Sequence, residues 1–350
     1  MPSKHAIAAA GLLVATMAGA AAGPWPPGAP APPAPVLLPA NIIDGTDDRG
    51  SLVTLGPALG LSAAEIGRIR RASGYVGCLS PSPSLGSGAL VGDRLVLTAA
   101  HILFEPSGQR RSKCFFRSQA PEPATVDLLF DAASARFGAK KPKAGTNADF
   151  AVVGLAAPVA GAEPFALAAG PLAAGEALIV ITAHPAGMAK EVDKAVPVAQ
   201  GCTVRRVVAA AAGAALIKTD CDATGSSSGG LNLVRAGGRL VLAGITITTG
   251  PWREKRFVGA PYSEKTGSVT TALATAGTVA AAVRGLAAAL PPVGPGAARP
   301  SVALPSMQPP AAATPADGAS ADPSPPMLSA EPSLPGVRLP LPGVRSPAAP

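Results

Sequence analysis

Aromatic residues are scarce in this chain of 350: two Trp, two Tyr and eight Phe make up 3% of it. A core must therefore be built mainly from Ala, Val, Leu and Ile, and a hydrophobic content of 48% supplies enough of them to bury. Histidine stops at three residues and cysteine at four. No Cys-x-x-Cys pair and no Cys/His cluster with ligand spacing occurs, so a metal site built from all four thiolates is not expected. A concentrated basic patch is missing too. The formal charge is +8, but Arg68, Arg70 and Arg71, then Arg110, Arg111 and Lys113, then Lys140, Lys141 and Lys143 lie in separate segments with few aromatics between them. That distribution reads as a solvated surface and not as a nucleic-acid interface.

Long helical periodicity between the apolar runs is also absent, which argues against a parallel α/β sheet. Short apolar runs punctuated by glycine take its place: Gly74 to Leu79, Gly88 to Val91, Leu95 to Ala99, Val126 to Phe130, Phe150 to Leu155, Ala177 to Thr182, Val204 to Ala209, Ala214 to Thr219 and Leu240 to Thr248. This is the pattern of an all-β sandwich or barrel. Gly92-Asp93 reads as a hairpin turn that delivers Thr98-Ala-Ala-His101 at a strand end. Ser62 with Glu65 forms a capping box for a short helix reaching about Arg71. Thr271 to Leu290 is alanine-rich and stops at Pro291-Pro292, which predicts a closing helix; Arg284 within it argues against a membrane span.

Proline sets the domain organisation. Eight of the 40 prolines fall in 24–39 and seventeen in 291–350. Residues 23–40 read as an extended linker and 291–350 as a disordered Pro/Ala-rich tail, leaving one folded domain over 41–290. Ahead of the linker, Lys4 and His5 precede an uncharged stretch from Ala6 to Ala22. This is a signal peptide over 1–22 with cleavage near Ala20 or Ala22, so the mature protein is expected to be secreted or periplasmic, without a stable membrane anchor. Such a compartment lets disulfides persist.

With His5 removed in the signal, His101 and His184 remain as candidate bases. His184 sits in a turn signature, Thr182-Ala-His-Pro-Ala-Gly187, and reads as structural; His101, at the end of a strand after two small alanines, is the candidate. Asp149, in Asn147-Ala-Asp-Phe-Ala-Val-Val153, enters a buried strand, where a carboxylate can orient an imidazole or simply cap the strand. Thr219-Asp-Cys-Asp-Ala-Thr-Gly-Ser-Ser-Ser-Gly-Gly-Leu231 is a hydroxyl-rich loop with glycines suited to presenting backbone N–H groups, and Ser228 is its candidate nucleophile.

Thr98-Ala-Ala-His101, Ala148-Asp-Phe-Ala-Val-Val153 and Cys221-Asp-Ala-Thr-Gly-Ser-Ser-Ser-Gly-Gly230 together resemble the His, Asp and Ser motifs of trypsin-like, chymotrypsin-fold serine proteases, in that family's chain order. Asn41 to Arg49 resembles the entry segment of the bacterial glutamyl-endopeptidase-like branch. The resemblance covers about Asn41 to Leu290. It implies two antiparallel β-barrels with a C-terminal helix, catalysis by His101, Asp149 and Ser228, and an oxyanion hole formed by the N–H groups of Ser226 and Ser228. The family places its serine directly before Gly-Gly and six residues after the acid that follows the cysteine, here Asp222; both counts select Ser228 over Ser227.

Two departures from the family pattern stand out. Ser226 replaces the glycine usual two residues before the nucleophile, and Ser227 occupies the position of the aspartate that pairs with a freed N-terminal amine in animal trypsin-like enzymes. For specificity, the resemblance points to Asp222, Thr224 and Thr246 as pocket residues; Asp222 falls where trypsin carries the acid that binds basic side chains, while an aspartate there also occurs in the bacterial branch without that meaning. Gly244-Ile-Thr246 lacks the histidine typical of glutamate-specific relatives. The four cysteines permit three pairings; Cys78 with Cys114 would clip the strands on either side of His101, and Cys202 with Cys221 would anchor the nucleophile loop. The expected function is an exported, monomeric serine endopeptidase acting on protein or peptide substrates without a cofactor. The alternative is a catalytically weak or inactive protease-fold module that binds peptides or cell-envelope components.

Overall fold

The computed structural model describes residues 40–183, 185, 195–210, 213–250 and 257–291. The expected signal segment, nearly all of the linker, the tail beyond 291 and His184 lie outside the described residues. In chain order, β1 (Ala40–Ile43) and β2 (Gly50–Ser51) lead into two helices, α1 (Leu52–Leu55) and α2 (Ala63–Ala72). The capping box starts α2: the Ser62 hydroxyl accepts the Glu65 N–H at 3.2 Å, and the Glu65 carboxylate accepts the Ser62 N–H at 2.8 Å. Arg235 also grips Glu65, at 2.8 Å, and its hydrogen bonds hold that carboxyl down to about 2.

The first sheet contains β3 (Ser73–Ser80), β4 (Ser84–Gly92), β5 (Leu95–Thr98), β6 (Ser112–Ser118), β7 (Thr125–Asp127), β8 (Ala135–Phe137) and β9 (Ala151–Gly154), in the spatial order β7-β6-β3-β4-β5-β9-β8. It curls until Leu128, beyond β7, bridges Leu155, beyond β9. The result is a half-barrel rather than a closed one. The second sheet contains β10 (Ala177–Thr182), β11 (Val198–Val208), β12 (Leu216–Thr219), then, past the short β13 (Ala223–Thr224), β14 (Leu231–Ala236) and β15 (Arg239–Thr249). After β16 (Phe257–Ala260), β17 (Thr270–Ala274) completes it. The order β10-β14-β15-β17-β12-β11 returns on itself through β10–β11 pairing, so six strands form a closed barrel with no free edge. A third sheet holds β1 between β13, antiparallel, and β16, parallel.

The architecture is thus mostly β, with the two-barrel layout of the chymotrypsin fold. One local expectation is corrected. The stretch from Thr271 is not helical from its start: β17 precedes the closing helix α3 (Thr278–Ala289). Every residue of β17 is buried between β15 and β12, and the barrel cannot close without it. Tertiary pairing there outweighs the helix propensity of alanine, helped by the β-branched Thr270 and Thr271. The core is built largely of aliphatic residues, with Phe116, Phe150 and Phe165 as its largest fully buried side chains. Among the described residues no helix is long and apolar enough to cross a membrane.

Candidate active site

Strand pairing brings His101 and Asp149 together. β5 ends at Thr98, and a short 3-10 turn, Ala100–Ile102, carries His101. Thr98 pairs with Ala151, the first residue of β9, so Asp149 just ahead of that strand lies beside the turn. Its side chain is fully buried. One carboxylate oxygen accepts the His101 backbone N–H at 2.9 Å; the other lies 2.8 Å from His101 Nδ1 and accepts the Gly145 N–H at 2.9 Å. Three N–H groups fix this carboxylate in place. With Nδ1–H donated to it, Nε2 is the acceptor, and Nε2 lies 2.9 Å from Ser228 Oγ.

Ser228 reaches His101 from the second sheet, on the loop between β13 and β14. Ser227 points inward: its hydroxyl accepts the Thr224 N–H at 3.1 Å, and the residue is buried. The loop is docked onto β4 by Ser87, whose N–H donates to the Ser228 carbonyl at 2.7 Å and whose hydroxyl accepts the Ala183 N–H at 2.9 Å. The N–H groups of Ser226 and Ser228 donate to no acceptor among the described residues. Both belong to the loop that carries Ser228 Oγ.

Ser226 adopts φ 71, the left-handed region that favours glycine. A serine there costs about 1–2 kcal/mol. Ser226→Gly removes the Cβ from this conformation but loosens the unfolded chain, so a net gain of about 1 kcal/mol is expected, or roughly 2–4 °C in Tm. Thermal melting checks this, and a lower Tm for Ser226→Gly would contradict it.

A cleft of about 840 Å³ opens at His101 and Ser228. Thr224 and Thr246 line it. Thr224 Oγ1 accepts from Arg49 Nη1 at 2.7 Å, and Thr246 Oγ1 accepts from Asn232 Nδ2 at 3.1 Å. Asp222 does not line it. It is 3% exposed, and its two oxygens accept the N–H groups of Ile43 at 2.8 Å and Asp48 at 2.9 Å. Burial pushes its carboxyl up to about 6, against those two donors, which favour the charged form. The expectation that Asp222 grips a basic substrate side chain is therefore corrected: its hydrogen-bonding capacity holds the entry segment of the domain.

The disulfides are Cys78–Cys114, across the β3–β6 pair, and Cys202–Cys221, between β11 and the segment that leads into the nucleophile loop. Two contributors were not anticipated. Arg49 supports Thr224 while its other nitrogens are held by Asp47. Ser87 couples the sheets, and its signal lies in Gly86-Ser87-Gly88, since a glycine within a strand marks close backbone approach. A Cβ on Gly86 would lie 2.7 Å from the Ser228 carbonyl oxygen.

Residues 86–241 match the family described as a trypsin-like peptidase domain. Among solved structures, a Glu endopeptidase in complex with MPD is 13% identical, with 71% of this chain and 100% of that chain covered at a TM-score of 0.51. The protease Anisep from Arthrobacter nicotinovorans is 16% identical, with 62% and 96% covered at a TM-score of 0.45. A protease from M. tuberculosis in its active form is 15% identical, with 76% and 96% covered at a TM-score of 0.45. No curated protein sequence matches the chain. The matched span contains His101, Asp149 and Ser228, and the structure has the two-barrel layout of the chymotrypsin fold: over residues 86–241 the chain is similar to trypsin-like peptidase domains.

Proposed function

We propose that the protein is an exported endopeptidase that cleaves peptide bonds through an acyl-enzyme on Ser228. The observation that carries this reading is the continuous hydrogen-bonded line from buried Asp149 through His101 to Ser228 Oγ, at 2.8 and 2.9 Å, opening on a cleft. As Ser228 Oγ attacks the scissile carbonyl, its proton passes to His101 Nε2, and Asp149 stabilises the imidazolium. The oxygen that gains charge accepts from the N–H groups of Ser226 and Ser228. The imidazolium then protonates the leaving amine, the C–N bond breaks, and an ester to Ser228 remains. Water attacks that ester while His101 takes its proton, and the proton returns to Ser228 as the acid product leaves. Export rests on the uncharged segment Ala6 to Ala22 and agrees with the two disulfides.

A fluorophosphonate probe tests the assignment, because it forms a stable adduct only with an activated serine. Peptide mapping by mass spectrometry is expected to place the adduct on Ser228. An adduct on Ser227, or none on folded protein, overturns the proposal.

A further inference from the structure

We propose that the His101 side of the cleft is an electropositive rim that draws in polypeptide substrates by acidic side chains near the scissile bond, at positions other than the residue whose carbonyl is attacked. The inference rests on the serine endopeptidase reading above and adds its substrate class.

Two basic clusters that stand apart in the sequence, Arg110 with Arg111 and Lys140 with Lys141 and Lys143, meet in the fold. Residues 103–111 form a hairpin: Phe104 bridges Arg110, the Glu105 N–H donates to the Gln109 carbonyl at 2.7 Å, and the Arg111 N–H donates to the Leu103 carbonyl at 2.9 Å. The segment that runs on from Phe137, the last residue of β8, packs against it. The Phe104 and Phe137 rings meet edge to face at 5.1 Å, and the Arg110 guanidinium stacks over the Phe137 ring at 4.9 Å. At the hairpin tip, a Cβ on Gly108 would lie 3.2 Å from Lys141 Cδ. Arg111 and Lys143 line the cleft together with His101 and Ser228.

Residues 103–111 and 137–145 hold five basic side chains and one acid, Glu105, which pairs with Arg111. Two further carboxylates adjoin these segments, and N–H groups engage both. Asp131, next to the Phe130 carbonyl that Arg110 binds, accepts from Ala133 and Ser134 at 2.8 Å each, and Asp149 accepts from His101 and Gly145. Arg110, Lys140, Lys141 and Lys143 are exposed and have no ion-pair partner among the described residues. The undescribed residues do not reverse the sign: 251–256 hold three bases and one acid, and 186–194 hold two of each. Exposed charges of one sign within about 10 Å reinforce one another and concentrate ligands of the opposite sign at a cleft. A nucleic acid would need aromatic faces on which to stack its bases, and the Phe137 ring is covered by Arg110. A membrane surface would need apolar side chains to insert beside the charges, and the large exposed apolar side chain among the described residues, Val53, lies on α1. An acidic polypeptide needs neither, and the reacting serine adjoins the rim.

Matched peptides test this on the full chain. A parent peptide that the chain cleaves, chosen from a mixed library, is remade with Glu, Gln or Lys at the flanking positions while the residue before the scissile bond is held constant. At about 20 mM NaCl, kcat/KM for the best Glu peptide is expected about tenfold above its Gln counterpart, with Lys below Gln. At about 0.5 M NaCl the Glu-to-Gln ratio is expected to fall to within about twofold, because rim charges act mainly on association and salt screens them. Lys140→Glu combined with Lys141→Glu is expected to bring the low-salt ratio to about one or below. Arg239→Glu, a charge reversal in β15, is expected to leave it at about tenfold, and melting curves establish that both variants fold. Wild-type ratios within about twofold at every position overturn the inference, and so does a ratio that the double variant leaves unchanged. Binding to phosphatidylserine vesicles that the double variant abolishes also overturns it, by making the rim a membrane contact. The fluorophosphonate adduct is measured on the same wild-type preparation. An adduct at Ser228 without a preference for Glu overturns this inference alone, whereas no adduct overturns the endopeptidase reading and this inference with it.

Discussion

Asp149→Asn is expected to lower kcat about 10⁴-fold with little change in KM. The substitution preserves shape but exchanges one acceptor oxygen for a donating NH₂. Oδ1 faces the His101 backbone N–H, and Oδ2 faces both the Gly145 N–H and His101 Nδ1. An NH₂ at the first position opposes a backbone donor that cannot change. At the second it opposes Gly145, but the imidazole can adapt by moving its proton to Nε2. That tautomer presents N–H to Ser228 Oγ and can no longer take the serine proton, so the attack step fails while the cleft still binds substrate. Either orientation leaves a buried backbone N–H unpaired, which costs about 1–3 kcal/mol of stability. Steady-state kinetics and a melting curve on the same preparation test both parts. A kcat within tenfold of wild type would remove Asp149 from the mechanism, and a loss confined to KM would make it a binding residue.

What could be read from the chain and what could not divides along sequence distance. Thr98-Ala-Ala-His101, the strand-entry Asp149 and the serine-glycine loop are short local patterns whose meaning survives without knowledge of the fold. β10 is equally local, an apolar run with clear ends, and its expected bounds, Ala177 to Thr182, match. β17 was hidden because alanine favours a helix in isolation and only barrel closure demands a strand. β14 was missed because Asn232 interrupts its apolar run, and that asparagine is satisfied by the Gly230 carbonyl and the Thr246 hydroxyl, the latter 14 residues away. Asp222 shows the limit most clearly. Its local sequence suggests a pocket acid, but its carboxylate partners lie 179 and 174 residues earlier in the chain. No inspection of the loop reveals that both Asp222 oxygens are already engaged by backbone N–H groups so far away in the chain.

The same long-range links explain how the entry segment bears on the site. Asp222 binds the backbone of Ile43 and Asp48, Arg49 supports Thr224, and Asn41 lines the cleft. A stretch of nine residues thus buttresses one wall of the pocket. The opposite wall depends on β4, where Ser87 receives the nucleophile loop. The His101–Asp149–Ser228 arrangement is therefore held at a junction of three sheets, and it tolerates little added volume there.

Gly229→Ala probes that junction. Gly229 adopts φ 78, and a Cβ on it would lie 1.9 Å from the Ser87 carbonyl oxygen and 2.6 Å from Thr98 Oγ1. Neither obstacle is the free end of a flexible chain: Thr98 Oγ1 is itself bonded to the Ser87 carbonyl at 2.7 Å. The loop must move away from β4, which breaks the Ser87 N–H bond to the Ser228 carbonyl. The left-handed conformation accounts for about 1–2 kcal/mol of the cost, and displacement from β4 brings the total to about 3–5 kcal/mol. For a domain of this size that is a Tm lower by on the order of 10 °C. A shift of about 1 Å in Ser228 costs roughly 100-fold in rate, and misaligned oxyanion donors a further 100-fold or more, so kcat/KM is expected to fall by at least about 10³. Gly238→Ala separates the two causes. Gly238 has nearly the same φ, 77, in the turn between β14 and β15, with no atom within 4 Å of the added Cβ. It carries the conformational penalty alone, about 1–2 kcal/mol, and is expected to leave kcat/KM unchanged. If the two variants melt within about 2 °C of each other and hydrolyse alike, docking of the loop on Ser87 does not hold the nucleophile.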